Sequence, residues 1–187
     1  FGSAAEGNYL GGLKYETEGA TDSIAFNTML GSASYNQGLK VLNSYDVFEI
    51  LYSHNFNDNW NYTLDTMYSF ANNFEGTVTN RDGSVFVLNN EWACWYGFVN
   101  YLTYNVTDKL STTSRVEFFT DTEGVRTGYT GLYTTLTQGA TYKMYDEQLW
   151  VRPEFRYDNN STSKAYNNDG TASNGLFTFA IDVILRY

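Results

Sequence analysis

The last twelve residues of the chain, 176–187, alternate between large apolar and mostly polar side chains. One phase carries Phe177, Phe179, Ile181, Val183, Leu185 and Tyr187. The other phase carries Thr178, Ala180, Asp182 and Arg186, with Ile184 as an exception. A period of two predicts a β-strand with one apolar face. This strand is longer than the usual globular strand of about five or six residues. It fits a tilted strand that crosses a bilayer, which needs roughly 9–11 residues.

The position of this strand limits the folds that can hold it. It runs to the final residue of the sequence and ends on an aromatic side chain. A long apolar edge strand promotes aggregation in water, whereas a closed membrane barrel has no strand edge. We therefore expect a membrane barrel, and an edge strand of a soluble β-sandwich is the alternative.

The composition favours strands rather than helices as the membrane-crossing elements. Aromatic residues make up 18% of the chain, yet the mean hydropathy is only −0.41. No segment approaches the roughly 18 consecutive apolar residues of a transmembrane helix. A barrel alternates lipid-facing with lumen-facing residues, so its mean hydropathy stays low. The sequence therefore predicts an all-β fold, a transmembrane antiparallel up-and-down β-barrel.

Alternating segments recur along the chain and predict about nine strands. They cover residues 8–18, 23–31, 45–54, 60–70, 91–106, 110–119, 132–143, 148–157 and 176–187. Short turns lie between the members of successive pairs, at 19–22, 57–59, 107–109 and 144–147. Longer polar connections lie at 32–43, 72–89, 120–130 and 158–174, and the second of these has room for its own hairpin. Outer-membrane barrels have this asymmetry, with short periplasmic turns and longer outer loops.

The strand count also carries an expectation about the chain as a whole. Nine is an odd number, whereas bacterial single-chain barrels have an even number of strands. We therefore expect residues 1–187 to form one β-barrel domain that is the C-terminal portion of a larger barrel. At least one further strand would then precede Phe1.

Charged residues alternate with apolar ones in several predicted strands. Because Arg or Lys at the bilayer midplane costs roughly 2–4 kcal/mol, such residues are expected to face the lumen. The predicted pore-lining set is Glu49, Asp65, Arg115, Glu117, Arg152, Glu154, Arg156, Asp182 and Arg186. Two compatible roles remain open for it. The set is either an ion-pair ladder that stiffens the wall or a charged constriction that filters solutes.

The signs of these charges differ along the chain. The arginines of the set come from the C-terminal strands, whereas Glu16, Glu49 and Asp65 come from the N-terminal ones, opposed by Lys14. In a closed barrel one wall would be relatively basic and the facing wall acidic. Since lumen charges tune ion preference, we expect weak selectivity among small hydrophilic solutes.

Aromatic residues near the predicted strand ends form a second group. They are Trp60, Tyr104, Tyr142, Tyr157 and Tyr187. Amphipathic rings at this position form belts at membrane interfaces, so we predict an interfacial role for them rather than a ligand-stacking one.

Several classes of site are not supported by the composition. His54 is the single histidine and Cys94 the single cysteine. Neither a metal centre nor a nucleophile–base arrangement can be assembled around them, so we expect no catalytic residues, no metal and no cofactor. The net charge of −10 argues against nucleic acid as a partner, because no basic face is present to neutralise phosphates.

Two segments of the C-terminal half resemble a known family. RVEFFTDTEGVRTG at 115–128 and LWVRPEFRYD at 149–158 precede the terminal strand at strand-length separations. Together they resemble the putative beta-barrel porin-2 family of outer-membrane proteins. The matching residues are Arg115, Glu117, Asp121, Gly124, Arg126, Arg152, Pro153, Glu154, Arg156 and Asp158. The resemblance implies an outer-membrane porin and names no solute.

These features predict a passive diffusion channel of the bacterial outer membrane that passes small hydrophilic solutes or ions. Its expected partners are outer-membrane lipid, the outer-membrane assembly machinery and the solutes. A homo-oligomer is one option for its assembly state. The alternative is a narrow barrel with a filled lumen that acts as a structural or surface-recognition protein through its loops. We do not expect an enzyme.

Overall fold

The computed structural model describes residues 8–36, 41–79 and 85–186, which form an all-β structure. Its strands are β1 (Tyr9–Glu16), β2 (Asp22–Leu30), β3 (Ser32–Asn36), β4 (Val41–Asn55), β5 (Trp60–Thr79), β6 (Val85–Thr107), β7 (Leu110–Asp121), β8 (Gly131–Met144), β9 (Leu149–Asn160), β10 (Tyr166–Asn168), β11 (Thr171–Ser173) and β12 (Gly175–Leu185). Within the described ranges, no helix has the length and apolar character that a membrane crossing requires.

The main sheet is an antiparallel meander. Nine strands pair in chain order as β1-β2-β4-β5-β6-β7-β8-β9-β12. β3 continues from β2 and pairs with β4, while β10 and β11 form a separate small hairpin. Among the described residues β1 pairs with β2 alone and β12 with β9 alone, so the sheet is open. The predicted antiparallel all-β architecture is therefore confirmed, and closure into a barrel is not observed.

Short and long connections lie on opposite edges of the sheet, as the sequence predicts. The short turns at 17–21, 56–59, 108–109 and 145–148 share one edge. The longer connections, including 122–130 and 161–174, share the other edge. We call these the short-turn edge and the long-loop edge.

Residues 72–79 and 85–89 are strand rather than loop, and they form the hairpin for which the sequence left room. β5 and β6 extend as a paired ribbon to Thr79 and Val85, with irregular register near Phe74, and residues 80–84 lie outside the description. Strands also occupy parts of the predicted loops 32–43 and 158–174. The alternation of apolar and polar residues reports a difference in burial between the two faces of a strand rather than backbone pairing. Strands without this alternation therefore carry little sequence signal.

The cross-strand register sorts the side chains onto two faces of the main sheet. The apolar face carries Ile24, Phe26, Phe48, Ile50, Tyr52, Leu64, Tyr68, Phe98, Val116, Phe118, Leu136, Phe155, Tyr157, Phe177, Phe179, Ile181, Val183 and Leu185. Many of these are exposed, including Phe177 at 63% and Ile181 at 59%. On the opposite, polar face, Ser69, Thr135 and Asp158 are buried. This difference indicates that the polar face lies on the inner side of the sheet.

Aromatic rings form a diagonal ladder across four strands of the apolar face. The ring centroids of Phe26 and Phe48 are 6.4 Å apart, those of Phe48 and Phe70 are 6.3 Å apart, and those of Phe70 and Trp92 are 6.2 Å apart. Cross-strand aromatic contacts of this kind stabilise a sheet. Soluble monomers rarely expose contiguous apolar patches above a few hundred Å². The apolar face is therefore suited to contact with lipid.

Three of the predicted interfacial aromatics lie beside the short turns on the apolar face. Trp60 and Tyr104 are cross-strand partners with ring centroids 4.5 Å apart, and Tyr142 is exposed close to the 145–148 turn. Tyr157 lies on the same face near the long-loop edge. Tyr187 lies outside the described residues. An interfacial belt remains a prediction for the described members of this group.

His54 also lies at the short-turn edge, near the end of β4. Its Nδ1 is 2.7 Å from Oδ1 of Asp22, and its ring meets Phe56 edge-on at 4.6 Å. The Tyr52 hydroxyl donates to the same Asp22 oxygen at 2.8 Å. His54 therefore belongs to a hydrogen-bonded group that joins β2 to β4 at this edge.

Candidate pore lining

The predicted pore-lining residues lie together on the polar face. Eight of the nine belong to β4, β5, β7, β9 and β12, and Arg186 follows β12 directly. Cross-strand register connects them in rows; for example, Arg115 opposes Thr137, which opposes Arg156. Strict alternation along each strand separates them from the apolar face. The structure thus brings the set onto one surface, and their lining of a pore stays a prediction.

Two of the arginines are held by carboxylates of the same wall. Arg156 donates to both oxygens of Asp158 over 2.7–2.9 Å, and Asp158 also accepts a bond from the Thr135 hydroxyl at 2.6 Å. Arg152 on β9 donates to Asp182 on β12, its Nε lying 3.0 Å from Oδ2. Because Arg–carboxylate bonds are strong and directional, the pair with buried Asp158 fixes Arg156 against the sheet. The exposed Arg152–Asp182 pair is weaker, since water screens it.

The remaining charges of the set are less fully partnered. Arg115 donates to the Thr137 hydroxyl at 3.1 Å, and its buried Nε has no partner among the described residues. Glu49 accepts a bond from the Asn27 amide at 2.7 Å. Within the described part of the chain, Asp65, Glu117 and Glu154 make no hydrogen bond or ion pair. Negative charge on this face is therefore available to a solute, whereas much of the arginine charge is not.

Arg186 occupies a different place from the other arginines. Its guanidinium carbon lies 5.0 Å from the centroid of the Trp150 ring, and the Lys143 ammonium lies at the same distance from that ring. Two cations over one indole are each attracted to its electron-rich face. Arg186 and Lys143 therefore form a positively charged group at the short-turn edge of the polar face.

The connection 122–130 folds back over the polar face, which the sequence did not predict. Asp121 is fully buried at the end of β7 and accepts bonds from the main-chain N–H groups of Val125, Arg126 and Thr127 at 2.8–3.1 Å. The Thr127 hydroxyl also donates to Asp121 at 2.9 Å. We call residues 122–130 the inner loop. One carboxylate with four donors holds it in a defined shape.

Further contacts attach the inner loop to the wall. Main-chain and side-chain groups of Thr122 both donate to the Cys94 carbonyl, at 3.1 and 2.7 Å. The Tyr133 hydroxyl, on the polar face of β8, donates to Thr127 at 2.9 Å. Gly124 allows the reversal, because its φ of +72° lies in the left-handed region. Cys94 is buried at this attachment.

A second segment approaches the same part of the polar face. The Tyr166 ring of the β10–β11 hairpin meets the Tyr133 ring edge-on at 6.4 Å. Removal from water, reinforced by the nearby Asp158 carboxylate, raises the pKa of Tyr166 to about 12, so this phenol stays neutral at physiological pH. Buried Asn160 anchors the start of the connection by accepting bonds from the main chain of Thr162 and Ser163. The inner loop and this hairpin together narrow the space over β7, β8 and β9.

A family model built for β-barrel porins matches residues 1–187, which is the full length of the chain. The model is described as putative beta-barrel porin-2, OmpL-like. The chain belongs to this porin-2 family. The match includes the N-terminal half, where the sequence motifs alone carried no resemblance. A comparison with curated proteins gave no match.

The porin-2 motif residues take on distinct structural roles. Asp121, Gly124 and Arg126 build the inner loop, while Arg156 and Asp158 form the ion pair beneath it. The sequence motif contained the signal for the loop, since a carboxylate followed by glycine and threonine favours a tight side-chain-bonded turn. The direction in which the loop folds has no such signal, because it depends on Trp95 and Tyr133 from neighbouring strands.

Proposed function

We propose that this porin-2 chain is an outer-membrane porin whose polar face lines a passive diffusion channel for small hydrophilic solutes or ions. The observation that supports this most directly is the division of the sheet between an exposed apolar face and a charged inner face. Only a surface bathed in water can hold carboxylates without partners at low cost. The polar face with Asp65, Glu117 and Glu154 suits a water-filled lumen.

The channel requires that the sheet closes, and closure is part of the proposal. An open strand edge in hydrocarbon leaves main-chain groups without hydrogen bonds, which costs several kcal/mol for each group. The proposed location is the bacterial outer membrane, with surrounding lipid and the barrel-assembly machinery as partners. We propose no catalytic activity.

The alternative function also has an observation in its favour. The inner loop and the β10–β11 hairpin both lie over the polar face, around Tyr133. In a narrow closed barrel these two segments would fill the lumen, and the protein would then act through its surface rather than as a channel.

Conductance of the purified protein in planar lipid bilayers separates the two functions. Discrete, reproducible current steps are the expected result. Folding is verified on the same preparation by the shift in gel mobility on heating, with heat-denatured protein as the control. A folded preparation that inserts into liposomes but shows no steps and no solute-dependent liposome swelling would favour the filled barrel.

A further inference from the structure

Described residues of the polar face form an apolar patch under the inner loop. It consists of Met29, Val47, Met67, Trp95 and Phe119, contributed by β2, β4, β5, β6 and β7. Cross-strand register makes them neighbours: Met29 opposes Val47, and Gly97 separates Met67 from Phe119. Trp95 is buried in this patch, whereas Met29, Val47, Met67 and Phe119 are only half-buried. The accessible part of these four side chains offers an apolar surface to a ligand that has an apolar part.

Arg126 lies at the border of this patch. Its guanidinium carbon is 5.4 Å from the centroid of the Trp95 ring, and the side chain itself is exposed. Among the described residues, no carboxylate pairs with this guanidinium. The two acidic groups at the start of the inner loop have other partners, since Asp121 accepts the loop N–H groups and Glu123 accepts the Cys94 N–H at 2.9 Å. The Arg126 charge is thus available to a solute.

The main chain rather than the side chain fixes the position of Arg126. Its backbone N–H donates to Asp121 at 2.8 Å, and neighbouring residues are held in the same way. Binding at Arg126 therefore does not require the loop backbone to become ordered, although the side chain itself still loses rotamer freedom. Substitution of the Arg126 side chain should accordingly leave the loop in place.

The patch and the guanidinium border one cavity of about 260 Å³. Sites for drug-sized ligands usually measure roughly 300–1,000 Å³, so this one suits a smaller molecule. Guanidinium binds carboxylates through paired N–H donors, and an apolar lining favours a hydrocarbon group. Glu49 opposes Met67 in the register and accepts a hydrogen bond from Asn27. Its negative charge disfavours small hydrated anions, which have no apolar contact to offset the repulsion.

We propose that Arg126, Trp95 and the apolar patch form a binding subsite for small organic carboxylates with an apolar tail. This inference rests on the proposed channel function and specifies one class of solute for it. The carboxylate contacts Arg126, and the tail lies against Met67, Trp95 and Phe119. Such a solute is concentrated at the inner loop before it crosses.

Phenylacetate is a suitable probe, with acetate and neutral phenylacetamide as comparisons. Binding is measured by isothermal titration calorimetry on folded protein in detergent, which does not depend on conductance. Wild-type protein should bind phenylacetate, and Arg126→Gln should weaken binding by at least about tenfold, as expected for loss of a charged hydrogen-bond partner. Phenylacetamide and acetate should both bind at least about tenfold more weakly than phenylacetate.

Lys109→Gln is the matched control, because it removes one positive charge at an exposed residue of the 108–109 turn, outside the pore-lining set. It should alter phenylacetate affinity by less than about threefold. Equal losses in the two variants would overturn the subsite, as would acetate binding as tightly as phenylacetate. Met67→Gln tests the apolar part without touching the loop and should weaken phenylacetate but not acetate.

The two proposals fail in different ways. If bilayers show open steps and phenylacetate does not bind, the subsite is wrong and the channel stands. If phenylacetate binds with the expected dependence on Arg126 but no conductance or swelling is seen, the site is real and the channel function is wrong.

Discussion

At the scale of single residues, the structure changes what the arginines of the polar face can do. Composition and alternation place Arg152 and Arg156 on the inner face, and the structure pairs them with Asp182 and Asp158. An ion pair presents little net charge at a distance. The ladder role that the sequence left open is therefore supported for these two arginines, and Arg115 and Arg126 are better candidates for contact with solutes.

The ion pairs lead to a prediction about selectivity. The double variant Arg152→Ala with Arg156→Ala leaves Asp182 and Asp158 without cations, so the reversal potential in a salt gradient should move toward cations. Screening should reduce the shift at high salt. The variant Arg152→Ala with Asp182→Ala removes a neutral pair and should stay close to wild type. An equal shift in both would contradict the pairing.

Asp121 provides a second prediction at this scale. Asp121→Asn keeps one acceptor oxygen and replaces the other with an NH₂ donor. At least one loop N–H of this buried cluster then lacks an acceptor, at about 1–3 kcal/mol for each unsatisfied group. The inner loop should open more often, and trypsin cleavage after Arg126 should accelerate by roughly tenfold or more. Asp108→Asn, in an exposed turn, is the control. Unchanged cleavage in folded Asp121→Asn protein would show that other contacts hold the loop.

At the scale of elements, β12 shows how strictly the two faces differ. Phe179 projects from the apolar face, 54% exposed and with its ring 4.8 Å from that of Phe155, while Ala180 opposes Glu154 on the polar face. Neighbouring positions of one strand therefore have opposite environments. The same alternation continues over β7, β8 and β9, so a single substitution tests the orientation of the whole sheet.

Lysine substitutions on β12 provide that test. Phe179→Lys should sharply reduce the heat-resistant folded fraction on semi-native gels, because Lys facing the bilayer midplane costs roughly 2–4 kcal/mol. Ala180→Lys should fold normally, since it places the ammonium beside the unpartnered Glu154 carboxylate. Equal folding of the two variants in lipid would rule out lipid contact of the apolar face.

At the scale of the whole molecule, acidic residues outnumber basic ones, 21 to 11. On the polar face Glu49, Asp65, Glu117 and Glu154 lack cationic partners among the described residues, while two arginines are neutralised by pairing. The facing acidic and basic walls expected from the sequence thus stay a prediction. The pairing on β9 and β12 reduces the basic contribution to any such contrast.

The charge balance predicts a modest cation preference for the open channel. In a potassium chloride gradient the reversal potential should have the sign of cation selectivity, and its magnitude should decline as ionic strength increases. Neutralising Asp65 and Glu117 together as Asn and Gln should reduce it, whereas the exposed turn variant Asp108→Asn should not. Anion selectivity at low salt would mean that Arg115 and Arg126 dominate the field.

The sequence by itself determined the all-β class, the apolar and polar faces, the alternation of short and long connections and the family. These are local properties, since a strand exposes alternate residues to opposite sides whatever its neighbours are. It left room for a hairpin within 72–89 but did not place the strands of the β5–β6 extension, because apolar and polar residues do not alternate regularly there.

The tertiary structure alone decided which charges are paired and where the inner loop lies. Arg152 and Asp182 are 30 residues apart and meet only because the β9–β12 register makes them partners. Arg126 reaches Trp95 only because Asp121, Thr122 and Tyr133 turn the loop over the polar face. Both contacts join residues that are distant in sequence. They become favourable only after the strands have paired in their final register, so local sequence patterns do not predict them.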